Sequence, residues 1–182
     1  MMAKTNATGV VISRREAGLL LGPFIEGLRA QTTVTIEKID LISDFLLFWK
    51  DISTNSPPMR TQRFVDQVVT PHLELFNGFT GEITPDRAAQ YLYKVEPLVG
   101  DIQTLHTWIY RNFDSKPEEF RKSLPDFKWT GAVVFMPTLF GFDAGGGPMN
   151  GKSYLIFGLD MIAKFYGPKA DLSVLFTHEL FH

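Results

Sequence analysis

The chain contains no cysteine. That excludes disulfides, thiolate metal sites and cysteine nucleophiles, and leaves His, Asp, Glu or backbone oxygen as the metal ligands. Histidine is scarce too: only His72, His106, His178 and His182 occur. The sequence contains no apolar run of eighteen residues, so a membrane-spanning helix is not expected. It has no excess of one charge either. The net charge is -2, with both signs mixed along the sequence, which offers nucleic acid or an anionic membrane no electrostatic footing.

What is present is apolar and aromatic. Apolar residues make up 45% and aromatics 13% of 182 residues, enough for one globular domain with a real core. Residues 1–31 read as a flexible N-terminus or an export leader. Ser13-Arg14-Arg15 before Ala17-Gly18-Leu19-Leu20-Leu21 has a weak twin-arginine character, and without export the chain would be cytoplasmic. Residues 32–182 read as a single domain.

Helical signals come first. A short strand is expected at Val34–Ile36 and a buried helix at about Ile39–Asp51, where the sequence is apolar nearly all round. Ser53-Thr54-Asn55-Ser56-Pro57-Pro58 marks a break. A helix from about Arg60 to Phe76 should be kinked or split by Pro71, which lacks an N–H and crowds the preceding turn. Thr84-Pro85 reads as an N-cap with proline in the first turn, opening a helix toward Val95. Pro97 interrupts before another helix over Val99–Asn112.

The character changes at Trp129. Ala132–Met136 is a strand by its β-branched and aromatic content, extending past Pro137 to Phe142. Asp143–Gly151 reads as a glycine-rich loop ending in the turn signal Asn150-Gly151. Tyr154–Phe157 is the next strand, expected to pair with the first as an antiparallel hairpin. Gly167-Pro168 opens the last helix. The expected class is α+β: a helical segment, then a small antiparallel sheet, then a terminal helix.

That helix ends in His178-Glu179-Leu180-Phe181-His182, the pattern H-E-x-x-H. Histidines four apart share a helix face and can bind one zinc ion, with the glutamate between them as general base. On a helical wheel Asp171, Val174, Leu175 and His182 fall within about 60° of His178, and Leu172, Phe176 and Leu180 lie opposite. Both sides are apolar, which predicts a helix sandwiched between layers. His72 and His106 lie far upstream and read as surface or hydrogen-bonded side chains.

A second motif competes. Gly146-Gly147-Pro148-Met149-Asn150-Gly151-Lys152-Ser153 matches G-x-x-x-x-G-K-[ST], in which loop N–H groups cradle phosphates, the lysine reaches the terminal phosphates and the serine binds magnesium. It requires a strand before and a helix after, within a parallel sheet. Here a strand is expected to follow, and only 29 residues remain after Ser153. A hairpin loop is the simpler expectation.

The strand AVVFMP, the loop ending NGK, the stretch LIFGLDMIA and the segment LFTHELFH, with Ile39-Asp40 and Phe48-Trp49 further upstream, resemble a largely uncharacterised family of bacterial zinc-dependent proteases, gluzincin-like, predicted from sequence. The likeness covers most of residues 33–182 and is strongest from Gly131 onward. It implies a zincin-like fold and peptide-bond hydrolysis on a peptide or protein substrate. His178 and His182 would be Zn2+ ligands and Glu179 the catalytic base. Such sites take a third protein ligand, which in relatives lies downstream of the second histidine. The domain is therefore expected to be incomplete at its C-terminal end and weak or inactive alone, unless Asp143, Asp160, Asp171 or another chain supplies the ligand. A different class also fits the helix-rich part: a non-catalytic binding module built on residues 39–112, with a vestigial metal site. Oligomeric state has no signature in the sequence.

Overall fold

The computed structural model describes residues 35–52, 56–124 and 129–181. The proposed leader, the break at Ser53–Asn55 and His182 lie outside the described residues. All described residues belong to one unit, Val34–His182.

The first strand, β1 (Thr35–Asp40), runs further than expected. It stops where Asp40 turns its carboxylate onto the N–H groups of Ile42 and Ser43, at 3.1 and 3.2 Å. That arrangement starts α1 (Ile42–Asp51), which buries Ile42, Phe45 and Phe48. Next comes the segment Pro71 was expected to break. It is split into α2 (Pro57–Phe64), a π-helical turn Val65–Val69, a 3-10 turn Thr70–His72 and α3 (Leu73–Thr80). In α4 (Pro85–Val95) the Thr84 side chain caps the N-terminus, accepting from Arg87 N–H at 3.3 Å. Pro97 sits in a 3-10 turn, after which come α5 (Val99–Asn112) and α6 (Lys116–Ser123). These helices share an aromatic core: Phe48, Phe45 and Tyr91 surround Phe64 at ring-centroid distances of 5.6, 6.4 and 5.5 Å.

The sheet differs from the sequence expectation. Its further strands are β2 (Thr130–Met136), β3 (Ala144–Met149) and β4 (Lys152–Gly158), in the order β1-β2-β4-β3. β2 runs parallel to both β1 and β4, and only β3–β4 is antiparallel. The fold is α+β with a small mixed sheet rather than an antiparallel one. The strands at 130–136 and 152–158 are parallel neighbours, not two arms of a hairpin. The turn signal Asn150-Gly151 is genuine, with φ of 50° and 74°, the doubly left-handed geometry of a two-residue hairpin. It joins β4 to the glycine-rich stretch, which is itself a strand. AGGGPM has no intrinsic β preference, so its strand state comes from the ladder with β4.

Residues 137–143 form no strand extension. They make a tight loop in which Leu139 and Phe140 both have positive φ, 53° and 60°. After β4 the chain forms α7 (Leu159–Tyr166), stops at Gly167 and resumes as α8 (Leu172–Phe181).

Strand alternation divides the sheet into two faces. Val133, Phe135, Leu155 and Phe157 share one face, and α8 packs there. Phe176 lies 5.2 Å from Phe113 and 6.2 Å from Phe157, and Phe135 stacks on Phe157 at 5.5 Å. The other face carries Tyr154, which meets Phe79 of α3 at 5.7 Å. The expectation that α8 is sandwiched is not met. Leu172, Phe176 and Leu180 are buried, while Val174 and Phe181 are 63% and 75% exposed.

Candidate functional site

α8 is held by one stripe, Leu172–Phe176–Leu180, pressed to the sheet. Asp171 caps its start, accepting from Ser173 and Val174 N–H at 3.0 and 3.3 Å. His178 is turned by more than a quarter circle from the buried stripe, and its side chain is 63% exposed. Glu179 lies between the two directions, with only 18% of its side chain exposed, and its Oε1 is 4.0 Å from His178 Nε2. Glu179 is therefore turned toward the space between α8 and the sheet, whereas His178 points away from it, toward the outer side of the helix.

That space is a cleft of about 450 Å3 between the end of α8 and the sheet, lined by Glu179, Leu180, Phe181, Trp129, Gly146, Gly147, Pro148, Ser153, Tyr154 and Leu155. It exists because the α8-facing side of the sheet loses its side chains there. Along β2 the series Phe135, Val133 ends in Gly131; along β4 the series Phe157, Leu155 ends in Ser153; and β3 contributes Gly146 and Pro148. Bulky residues fill one end against Phe176 and Phe113. At the other end the indole of Trp129 lies across Gly131, so close that a Cβ there would sit 2.7 Å from the ring.

β3 is the sheet edge beside this cleft. Gly158 N–H donates to Asp143 C=O at 2.7 Å, and the Asn150-Gly151 turn closes the pair Met149–Lys152. In an antiparallel ladder bonded pairs alternate, so residues 143, 145, 147 and 149 spend their backbone groups on β4. Ala144, Gly146 and Pro148 turn theirs outward. Pro148 has no N–H to leave unpaired there, the position proline tolerates in a sheet. The hairpin tip is tied down by Asn150 Nδ2 donating to Glu74 and by Lys152 bonding Glu37.

The three aspartates considered as further ligands have other partners. Asp143 accepts from Tyr166 OH at 2.8 Å and from Ala144 N–H at 2.9 Å, and Asp171 is the cap already described. Asp160 is fully buried and pins the 137–143 loop, accepting from Thr138 N–H at 3.0 Å, Thr138 Oγ1 at 3.1 Å and Phe140 N–H at 2.9 Å. Burial raises its pKa above the usual carboxylate value, against the lowering effect of these donors. Beside it, Tyr91 OH is buried without a hydrogen-bond partner among the described residues. Burial, with the charge of Asp160, lifts the phenol pKa well above its ordinary value.

His72 and His106 are hydrogen-bonded side chains: His72 Nε2 lies 3.0 Å from Asp44 and His106 Nε2 lies 2.7 Å from Asp40. Among the described residues no group of three or more His, Asp or Glu side chains is arranged to hold a metal ion; His182 lies outside them. The residues 146–153 that match the phosphate-loop pattern form the hairpin of β3 and β4. No helix follows Ser153 directly, so its N–H groups do not converge on a phosphate in the manner that motif requires.

The sequence placed Glu179 and His178 correctly on one helix but missed the cleft's floor. The signal was there in part: Gly131 and Ser153 stand where each strand's α8-facing series should continue with a large residue. Comparison with family models, with curated proteins and with solved structures finds no match to this chain.

Proposed function

We propose that this domain carries the catalytic helix of a zinc-dependent metallopeptidase. The observation that carries the reading is the position of Glu179: the glutamate of the H-E-x-x-H sequence lines a cleft bounded by an antiparallel strand that is the sheet edge among the described residues. An edge strand can align an extended peptide by strand addition, and the neighbouring carboxylate is where a general base is needed.

The donor set suits zinc, since imidazole nitrogen and carboxylate oxygen are its ordinary ligands outside thiolate sites. His178 and His182 would hold the ion, with a third protein ligand from outside the described residues. Zinc in such a site acidifies water and polarises a carbonyl. The chain's own residues do the rest. Glu179 accepts the proton of the attacking water and delivers it to the departing amine. β3 holds the substrate backbone, and Leu180, Phe181 and Trp129 keep bulk water from the carboxylate.

The test is zinc content and peptide hydrolysis, for this chain and for one extended beyond His182. Glu179→Gln should retain zinc and lose on the order of 10²–10⁴-fold in turnover, the usual worth of a general base. His178→Ala should lose zinc. Full activity in Glu179→Gln, or no zinc in the extended form, ends this reading.

A further inference from the structure

The edge of β3 offers a peptide very little, and that fixes how one would bind. Of the three residues that turn their backbone outward, Ala144 already donates its N–H to Asp143 Oδ1 at 2.9 Å, and Pro148 has no N–H. Gly146 alone presents both a donor and an acceptor to a new strand. In an antiparallel pair two such groups are exchanged with the single residue directly opposite. Directly opposite residues also point to the same face of the sheet. Gly146 pairs with Leu155, so its face is the one under α8.

We infer that the cleft is a specificity pocket for one bulky apolar side chain of a bound peptide, carried by the residue that pairs with Gly146. A Cβ on Gly146 would run into the backbone carbonyl oxygen of Tyr154, so β3 puts no side chain of its own into the cleft at this position. The pocket is walled by Trp129, Leu155, Leu180 and Phe181, and its volume of about 450 Å3 lies within the range of side-chain and small-ligand sites. Glu179 is the one ionisable acid or base in the lining besides the Tyr154 phenol, which disfavours an acidic side chain. The occupant is therefore an extended peptide with Phe, Leu or a similar residue at one position. This rests on the peptidase reading for its purpose but not for its binding, which needs no metal.

The test uses uncleaved peptides in EDTA, so hydrolysis and zinc play no part. Acetyl-Ala-Ala-X-Ala-Ala-amide peptides are titrated against the full chain by calorimetry, with X as Phe, Leu, Ala or Asp. Phe should bind about tenfold or more tighter than Ala, the worth of burying an apolar side chain, and Asp weakest. N-methylation scanned along the Phe peptide should abolish binding at X itself, whose N–H meets Gly146 C=O, and be tolerated at both neighbours, whose N–H groups point away. Ser153→Phe, at an exposed position of the cleft floor, should remove the preference for Phe over Ala, while Ser153→Ala keeps it. Equal binding of Phe and Ala peptides, N-methyl sensitivity at a neighbour instead of X, or no binding at millimolar peptide overturns the proposal. Because the scan is run on the unmodified protein, a misfolded variant cannot mimic either result. A chain that binds Phe peptides in this register yet never hydrolyses them with zinc refutes the peptidase reading and leaves the pocket standing.

Discussion

Two buried or half-buried aspartates pull the stability of this domain in opposite directions with pH. Asp40 closes β1 and opens α1. Burial works to raise its pKa, but the hydrogen bond and charge of His106, with bonds from Ser43, outweigh it and hold the carboxyl below its ordinary value of 3.8. A carboxylate depressed in the folded state stabilises the fold above the unfolded pKa, and that contribution is lost as pH falls through the folded one. Asp160 is the reverse: raised by burial, it favours folding most at low pH and less as pH rises through its elevated value. The acid side therefore belongs to Asp40. In thermal melts between pH 6 and 2.5, wild type should exceed Asp40→Asn at the upper end, and the gap should close as pH drops below about 4. A gap that stays constant across that range would show that the Asp40–His106 contact contributes nothing through charge. The sequence singled out Asp160 only as one of three candidate metal ligands and Asp40 only within a resemblance, and gave neither its structural role. Nothing local distinguishes Asp160 from Asp171, and only the sheet brings Asp160 under Thr138 and Phe140.

At the scale of elements, local chemistry was read well where it is self-contained. Thr84 caps α4, Pro71 splits its helix, Pro97 interrupts, and Asn150-Gly151 turns a hairpin. Each depends on residues within a few positions of one another. Strand partnership does not, and there the reading failed. Ala132–Met136 and Tyr154–Phe157 carry the apolar composition of strands but no record of direction, whereas AGGGPM carries no strand composition at all. Near-continuous burial along β2, from Gly131 to Met136, is what a central parallel strand looks like. α8 misled for a related reason. Val174 and Phe181 are apolar on its outer side, so sequence alone could not say which stripe is buried. The hairpin offers a test of its own. Gly151 has φ of 74°, a region that costs a residue with a Cβ about 1–2 kcal/mol. Gly151→Ala should lower unfolding stability in urea by that amount. If Gly151→Ala unfolds at the same urea concentration as wild type, the turn has another geometry.

For the whole molecule, the described residues of α8 are anchored to the core by apolar packing. α8 is fixed by its buried stripe Leu172, Phe176 and Leu180, with Phe176 against Phe113 and Phe157, whereas the His178 side chain is 63% exposed. The fold should therefore not depend on zinc. Thermal melts of the chain with and without EDTA are expected to coincide; a large loss of melting temperature in EDTA would mean that the metal holds α8 in place. This separates the domain from small zinc-folded modules, which are unfolded without their ion.

The order of the strands in the sheet has a further consequence, for the sequence of folding events. β4 lies between β2 and β3 although it follows both in the chain, so the sheet cannot zip up in the order of synthesis. The β3–β4 hairpin closes over two residues and needs nothing else. β2 must wait for β4 to arrive beside it, and β1 joins β2 only across residues 41–129, the longest closure in the sheet and the one with the greatest entropic cost. The cleft, whose walls come from Trp129, β3, β4 and α8, is complete only when α8 has joined the sheet, so a β3–β4 hairpin alone has an edge strand and no pocket beside it.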